Sequence, residues 1–149
     1  MQLKTGDYQV YRFYDVKKDS YYTEFYPPDN LNLERMFDKL VNNFFLRRQG
    51  LKVVAVLNVD KESYLNLKLE DITEDYLYQE YVEEEARNKY KMGLIEVGTL
   101  KDTLMSCQNY KWTCLKRIAK VMKRIQREGL VCHSEKGMKL YNEYLFLED

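Results

Sequence analysis

The sequence is poor in residue types that several classes of function require: it has one histidine, three cysteines and two prolines among 149 residues. Three cysteines do not make a disulfide framework, because one of them must be left over. The longest uninterrupted apolar run, Val53–Leu57, is far shorter than the roughly 20 residues that a membrane span needs. The N-terminus lacks the basic and then apolar pattern of a signal peptide. We therefore expect a protein of the reducing cytoplasm, with no membrane contact.

Catalytic and metal-ligating groups are correspondingly sparse. His133 would have to serve any Ser-His or Cys-His pair, and Cys132, beside it in a predicted strand, points to the opposite face. The cysteines and His133 lack the Cys-x₂-Cys spacing that is typical of zinc sites. Pro28-Asp29 invites comparison with metal-dependent nucleases, but the strand before Lys61 lacks their Glu-x-Lys element. We therefore predict no enzyme activity, no cofactor and no metal, and the scattered glycines form no phosphate-binding loop.

Residues 1–72 predict an α+β module with the element order β-β-α-β-β. Tyr8–Tyr14 and Tyr21–Tyr26 are rich in aromatic residues and roughly alternate, as strands do. Apolar residues at three- and four-residue spacing predict a helix over Leu33–Phe45. Leu51–Val59 is apolar throughout its centre, which predicts a strand covered on both faces. The alternation within Leu65–Leu69 predicts a half-exposed strand, so that one helix packs on a small sheet.

Tyrosine is abundant in the first two predicted strands. Such residues could form an aromatic surface for single-stranded nucleic acid. Strand tyrosines more often pack against a helix or a partner, so we favour packing or a homodimer interface. The tyrosines concerned are Tyr8, Tyr11, Tyr14, Tyr21, Tyr22 and Tyr26.

Residues 73–149 predict a second domain that packs with the first and begins with helices. Asp71–Glu74 can form a capping box for a helix that Gly93 ends. A short strand at Ile95–Val97 and a short helix capped by Thr99 follow. Ser106–Tyr110 then predicts the turn of a helix-turn-helix.

The end of the chain predicts a long helix followed by a β-hairpin. The helix covers about residues 111–128, and one face of it is an apolar stripe. That stripe consists of Trp112, Leu115, Ile118, Ala119, Met122 and Ile125. Gly129 fits a left-handed cap, with Leu130 as its apolar contact. Val131–Ser134 and Lys139–Leu147 predict two strands, joined by a tight turn at Glu135–Gly137.

Charge is segregated along the chain, although the formal net charge is zero. Residues 109–140 contain nine Lys or Arg and two Glu, so this stretch is strongly basic and the remainder is acidic. The cations of the long helix lie opposite its apolar stripe at 100° per residue. Phosphate binding is the simplest explanation for charge arranged in this way.

The stretch Leu115–Val131 resembles the winged-helix superfamily of transcription regulators. In that family the recognition helix ends in an apolar residue, three polar residues, then glycine and two apolar residues that open the wing. Ile125, Gln126-Arg127-Glu128 and Gly129-Leu130-Val131 match this pattern without gaps. The resemblance covers about fifty residues, from about residue 95 to residue 147, and it identifies a fold and not one protein.

The resemblance implies that the front of the long helix lies in the major groove of double-stranded DNA, with the wing on the flanking backbone. Lysine outnumbers arginine on this face, so we expect modest sequence specificity. The implied DNA-binding residues are Asn109, Lys111, Thr113, Lys116, Arg117, Lys120, Lys123, Arg124 and Arg127 in the helix, with Lys136 and Lys139 in the wing.

Two hypotheses for function follow. The first is a small cytoplasmic transcription regulator of phage, viral or mobile-element type, whose N-terminal module dimerises or meets a partner. The second is a viral or phage interaction protein that uses the winged helix to dock on a host factor. Charge reversal on the long helix separates them, because it abolishes DNA binding and can leave partner binding intact.

Overall fold

The computed structural model describes residues 8–27 and 50–148. The chain divides into two compact units, Met1–Tyr64 and Leu65–Asp149, and the division falls inside a helix. The secondary structure is mixed, with three strands followed by three helices in the described residues. The predicted α+β class is therefore confirmed.

The first unit contains a three-stranded antiparallel sheet of β1 (Tyr8–Asp15), β2 (Ser20–Tyr26) and β3 (Leu51–Val59). The strand order is β2-β1-β3, so β1 is central. Tyr11 and Phe13 on β1 are fully buried, and half-buried residues of β2 and β3 pack against them. All three strands fall where the aromatic and β-branched runs predict them.

One prediction for this unit is wrong, and another lies outside the described residues. The helix predicted over Leu33–Phe45 lies outside the described residues. The two-sided cover predicted for β3 is wrong, because Val54 is 45% exposed and Leu57 is 50% exposed. An apolar run alone does not fix how many faces of a strand are covered.

The strand predicted over Leu65–Leu69 is wrong, because these residues belong to α1 (Lys61–Lys91). The carboxylate of Asp60 accepts a 2.8 Å hydrogen bond from the backbone N–H of Ser63, which caps the helix start. Leu65 and Leu69 are buried at a spacing of four residues, so the leucine alternation also satisfies a helix. The predicted capping box at Asp71–Glu74 lies in the interior of this helix.

The second helix, α2 (Val97–Arg127), runs without interruption through the predicted short helix and turn, and residues 95 and 96 form no strand. The predicted strand and turn are therefore wrong, and the predicted short helix is part of this longer helix. Ser106–Tyr110 contains polar residues but neither glycine nor proline, and Cys107 within it is buried. Burial of that residue at helical spacing outweighs the weak local preference for a turn.

The predicted wing is also wrong, because its second half forms α3 (Glu135–Glu148) and residues 131–134 form no strand. Ser134 caps α3, since its hydroxyl accepts a 3.1 Å hydrogen bond from the backbone N–H of Gly137. Gly137 serves close packing, because a Cβ there would lie 2.8 Å from Leu69 Cγ. The cap at Gly129 is confirmed: its φ is +68°, and Leu130 N–H donates to the Ile125 carbonyl at 2.9 Å.

In the second unit, α1 and α2 form an antiparallel helical hairpin that α3 covers on one side. Most buried residues of α1 and α2 are three or four residues apart, with one gap of seven in each helix, and they line the seam between the two helices. Asn66 ties the loop before α3 to α1, because its side-chain amide bonds both the Val131 carbonyl at 2.8 Å and the His133 N–H at 2.7 Å. Trp112 and Tyr144 pack their rings 5.5 Å apart between α2 and α3.

Winged-helix packing is not confirmed. Within residues 95–148 the structure contains neither a helix-turn-helix break in α2 nor a β-hairpin after it. No helix among the described residues is both long and apolar enough to cross a membrane.

Candidate nucleic-acid interface

The cations of the last three turns of α2 share one face of the helix. Leu115, Ile118 and Met122 bury the opposite side, together with other apolar residues at the same spacing. Five of these cations are exposed and Arg124 is half-buried. We call this surface the basic face; it consists of Lys116, Arg117, Lys120, Lys123, Arg124 and Arg127.

The basic face carries no acidic residue of its own. No Asp or Glu occurs between Asp102 and Glu128, so the face is uniformly positive along its length. The stretch Lys116–Arg127 spans about 17 Å at 1.5 Å per residue. Repulsion between neighbouring cations on one helix lowers its stability. An anionic partner that neutralises these charges is the simplest explanation for their arrangement.

Two contacts hold cations of this face in place. Lys116 Nζ lies 5.6 Å from the centre of the Trp112 ring, within the range of a cation–π interaction. Arg124 Nε lies 3.1 Å from a carboxylate oxygen of Glu128, one turn further along the helix. Both contacts fix side chains near the surface, where surrounding water limits their energetic value.

The residues predicted at the front of the helix fall into two groups. Asn109 and Thr113 are exposed, and the hydroxyl of Thr113 donates a 3.2 Å hydrogen bond to the Asn109 carbonyl. Lys111 instead enters the seam with α1, where its ammonium lies 3.0 Å from Glu83 and 4.9 Å from the centre of the Tyr76 ring. The structure therefore places Lys111 apart from the basic face.

Lys136 and Lys139 lie on α3 and not in a wing. Both are exposed. Lys136 lines a depression that also contains Glu70 and Glu74 of α1, together with His133. Its surroundings are therefore acidic, unlike those of the basic face.

Lys68 of α1 is a cation that the sequence interpretation missed. It is half-buried, and burial lowers its pKa, with the charges of Arg117 and Arg124 lowering it further. Lys68 therefore lies beside the basic face, across the seam. Its position could have been predicted from the sequence, because in a helix Lys68 directly precedes the buried Leu69. It was missed because this segment was predicted to be a strand.

An acidic group limits the positive charge at this edge. Burial raises the pKa of Asp75, while the nearby charge of Arg117 opposes that effect. Arg117 therefore has a carboxylate neighbour on α1. The other exposed cations of the basic face include Lys120, Lys123 and Arg127.

The described residues offer little for catalysis or metal binding. Within residues 8–27 and 50–148, no group of three or more His, Cys, Asp or Glu is arranged to hold a metal ion. Burial raises the pKa of the Cys107 and Cys114 thiols, which makes them weaker nucleophiles. His133 is exposed in the loop before α3.

Comparisons of the chain with protein-family models, with curated proteins and with solved structures found no match.

Proposed function

We propose that the protein binds double-stranded DNA through the basic face of α2. The observation that carries the proposal is the alignment of six cations, with no intervening acidic residue, on the solvent side of one continuous helix. The opposite side of this part of the helix is buried, and the basic face is exposed to a ligand. An α-helix fits the major groove, and Lys and Arg neutralise the phosphates along it.

The proposed contact is mainly to phosphate. Three of the six cations are lysines, which act as point charges and distinguish bases poorly, whereas the three arginines have the planar fork suited to guanine. We therefore expect modest sequence preference. We propose that this binding serves to regulate transcription in a phage, virus or mobile element. The proposed DNA binding does not depend on winged-helix packing.

The test is fluorescence anisotropy of a labelled mixed-sequence duplex, titrated with protein at several salt concentrations. We expect binding in the micromolar range at about 50 mM salt. Six phosphate contacts predict a slope of log K against log salt of about −5. Reversal of Lys120, Lys123 and Arg127 to Glu should abolish measurable binding.

The matched control reverses three exposed lysines elsewhere, Lys18, Lys52 and Lys101, to Glu. The net charge then changes equally, but binding should persist. Far-UV circular dichroism confirms that both variants fold. Failure of the unaltered protein to bind duplex at about 50 mM salt contradicts the proposal, as does equal loss in both variants.

A second candidate function is docking on a host protein. One observation favours it: Met138, Phe146 and Leu147 of α3 are exposed and line a groove on that helix. Exposed apolar surface of this kind marks interaction sites. Under this function the Lys120, Lys123 and Arg127 reversal leaves partner capture intact, whereas Phe146→Asp abolishes it.

A further inference from the structure

One face of the three-stranded sheet is covered at one end and open at the other. At the covered end, the Tyr64 ring centre lies 4.6 Å from that of Tyr8 and 5.6 Å from that of Phe25. Further along β1 the same face opens, since Arg12 is exposed and Tyr21, on β2, is 58% exposed. The end that Tyr64 does not cover is therefore accessible to a ligand.

The strand register aligns the residues of this accessible end in two rows. Tyr14 of β1 lies opposite both Tyr21 of β2 and Lys52 of β3, and Arg12 lies opposite Ala55. Directly opposed residues point to the same face of a sheet. A bulge between the two rows keeps Lys52 and Ala55 on one face, although they are three residues apart. We call this surface the open face; it consists of Arg12, Tyr14, Tyr21, Lys52 and Ala55.

Contacts within the open face hold its aromatic rings and one of its cations in place. The ring centres of Tyr14 and Tyr21 lie 4.9 Å apart. The guanidinium of Arg12 lies 5.2 Å from the centre of the Tyr21 ring and donates a 3.0 Å hydrogen bond to the Thr23 hydroxyl. The Tyr14 hydroxyl donates a hydrogen bond to the carboxylate of Asp19. These side chains are therefore ordered before a ligand arrives, and more than half of Tyr21 stays exposed.

The open face is positively charged. Arg12 and Lys52 are its charged residues, and neither forms an ion pair with another described residue. The acidic residues of the strands, Asp15 and Glu24, lie on the other face together with Tyr11. Exposed rings beside cations complement a ligand that carries both planar rings and negative charge, which is the chemistry of single-stranded nucleic acid.

We propose that the open face binds single-stranded DNA. Bases stack on the rings of Tyr14 and Tyr21, and Arg12 and Lys52 contact the phosphates beside them. The row from β2 to β3 spans two strand spacings, about 10 Å, so it accommodates about two bases. Duplex DNA does not suit this arrangement, because its bases stack on one another and present no free ring face to the tyrosines.

The chemistry of the open face favours DNA over RNA. Recognition of RNA uses hydrogen bonds to the ribose 2′-hydroxyl. The hydroxyls of Tyr14 and Thr23 are already engaged, and Ala55 is apolar. An alanine side chain can instead contact the methyl group of thymine. Thymine-rich single strands are therefore the ligand that this face fits.

The open face is distinct from the basic face, because all of its residues belong to β1, β2 and β3. The basic face of α2 also attracts phosphate, so the test uses a chain in which that attraction is weakened. Lys120→Gln, Lys123→Gln and Arg127→Gln together remove three cations without adding negative charge. In this neutralised chain, the outcome does not depend on whether α2 binds duplex DNA.

Fluorescence anisotropy of a labelled oligothymidylate of about 12 nucleotides, at about 50 mM salt, tests the proposal. We expect the neutralised chain to bind with a Kd on the order of 10–100 µM, because only a few bases and phosphates are contacted. Adding Tyr21→Ala should weaken binding by about tenfold. Tyr21→Phe should retain most of the affinity, since the ring stacks and the hydroxyl does not. An oligomer of equal length without bases should bind more weakly than oligothymidylate.

The matched control is Tyr78→Ala, because Tyr78 is 61% exposed on α1. It should leave binding unchanged, and far-UV circular dichroism confirms that each variant folds. Absence of binding by the neutralised chain overturns the proposal. Equal affinities of the Tyr21→Ala and Tyr78→Ala variants overturn it as well, as does equal binding of the oligomer without bases. Tighter binding of oligouridylate RNA than of oligodeoxyuridylate contradicts the choice of DNA.

Discussion

At the scale of one residue, Tyr11 shows that the core of this protein tolerates a buried hydroxyl without a hydrogen bond. Its side chain is fully buried, and its hydroxyl has no hydrogen-bond partner among residues 8–27 and 50–148. The ring compensates by packing against Phe13 at 6.1 Å and edge-on against Tyr26 at 5.4 Å. Burial raises the pKa of Tyr11 to about 12. Ring packing therefore holds the residue, and its hydroxyl contributes a desolvation cost.

Tyr11→Phe should raise the free energy of unfolding by about 1 kcal/mol, because it removes a buried hydroxyl without a partner and keeps the ring. The effect of pH has a defined sign. The unfolded tyrosine loses its proton near pH 10, before the folded one, so stability falls as pH rises from about 10 to about 12.

The Tyr11→Phe variant should not show this loss of stability between pH 10 and pH 12, because phenylalanine has no proton to lose. Urea unfolding at neutral pH and above pH 10 measures both effects. A loss of stability in the variant at neutral pH would show that the hydroxyl has a favourable partner.

At the scale of elements, the α1–α2 seam contains a charged pair among apolar and aromatic residues. Glu83 is buried, with 7% of its side chain exposed, and Lys111 reaches it at 3.0 Å with 20% exposed. Burial by itself lowers the pKa of Lys111, but the hydrogen bond and charge of Glu83, together with Tyr76, raise it on balance. A pair of this kind fixes the register of two antiparallel helices, because any slip leaves both charges buried alone.

Lys111→Met should lower the free energy of unfolding by about 2–3 kcal/mol, since Glu83 is then buried without its main partner. The double variant Lys111→Met with Glu83→Leu should recover most of this loss, because no charge remains in the seam. Chemical denaturation of the single and double variants measures both. Equal stability of Lys111→Met and the unaltered chain is the result that contradicts a role for this pair.

Some elements of the fold could be predicted from the sequence and others could not. The strands β1 to β3 and the buried stripe of α2 follow from local patterns, because one periodicity fits each of them. The leucines at 65–69 and the tyrosines of α3 fit a strand as well as a helix, and only tertiary packing decides between them. Gly137 illustrates the point: it suggests a turn, but it is present because Leu69 packs against its backbone.

The candidate site was predicted in the same uneven way. The basic face of α2 follows from helical spacing, and the structure keeps Lys116 to Arg127 on one exposed side. Lys111, Lys136 and Lys68 could not be placed correctly, because their surroundings depend on which helices pack together. Residues far apart in sequence, such as Glu83 and Lys111, determine those surroundings.

For the whole molecule, the central claim is that the basic face of α2 contacts DNA. Lysine acetylation, read by mass spectrometry with and without a saturating duplex, tests it residue by residue on the unaltered protein. Contact with phosphate shields an ammonium group, so modification of Lys116, Lys120 and Lys123 should slow severalfold. Lys18 and Lys101, exposed elsewhere, should react at the same rate in both conditions. Equal rates at all five lysines, or protection confined to the two reference lysines, would contradict the proposed interface.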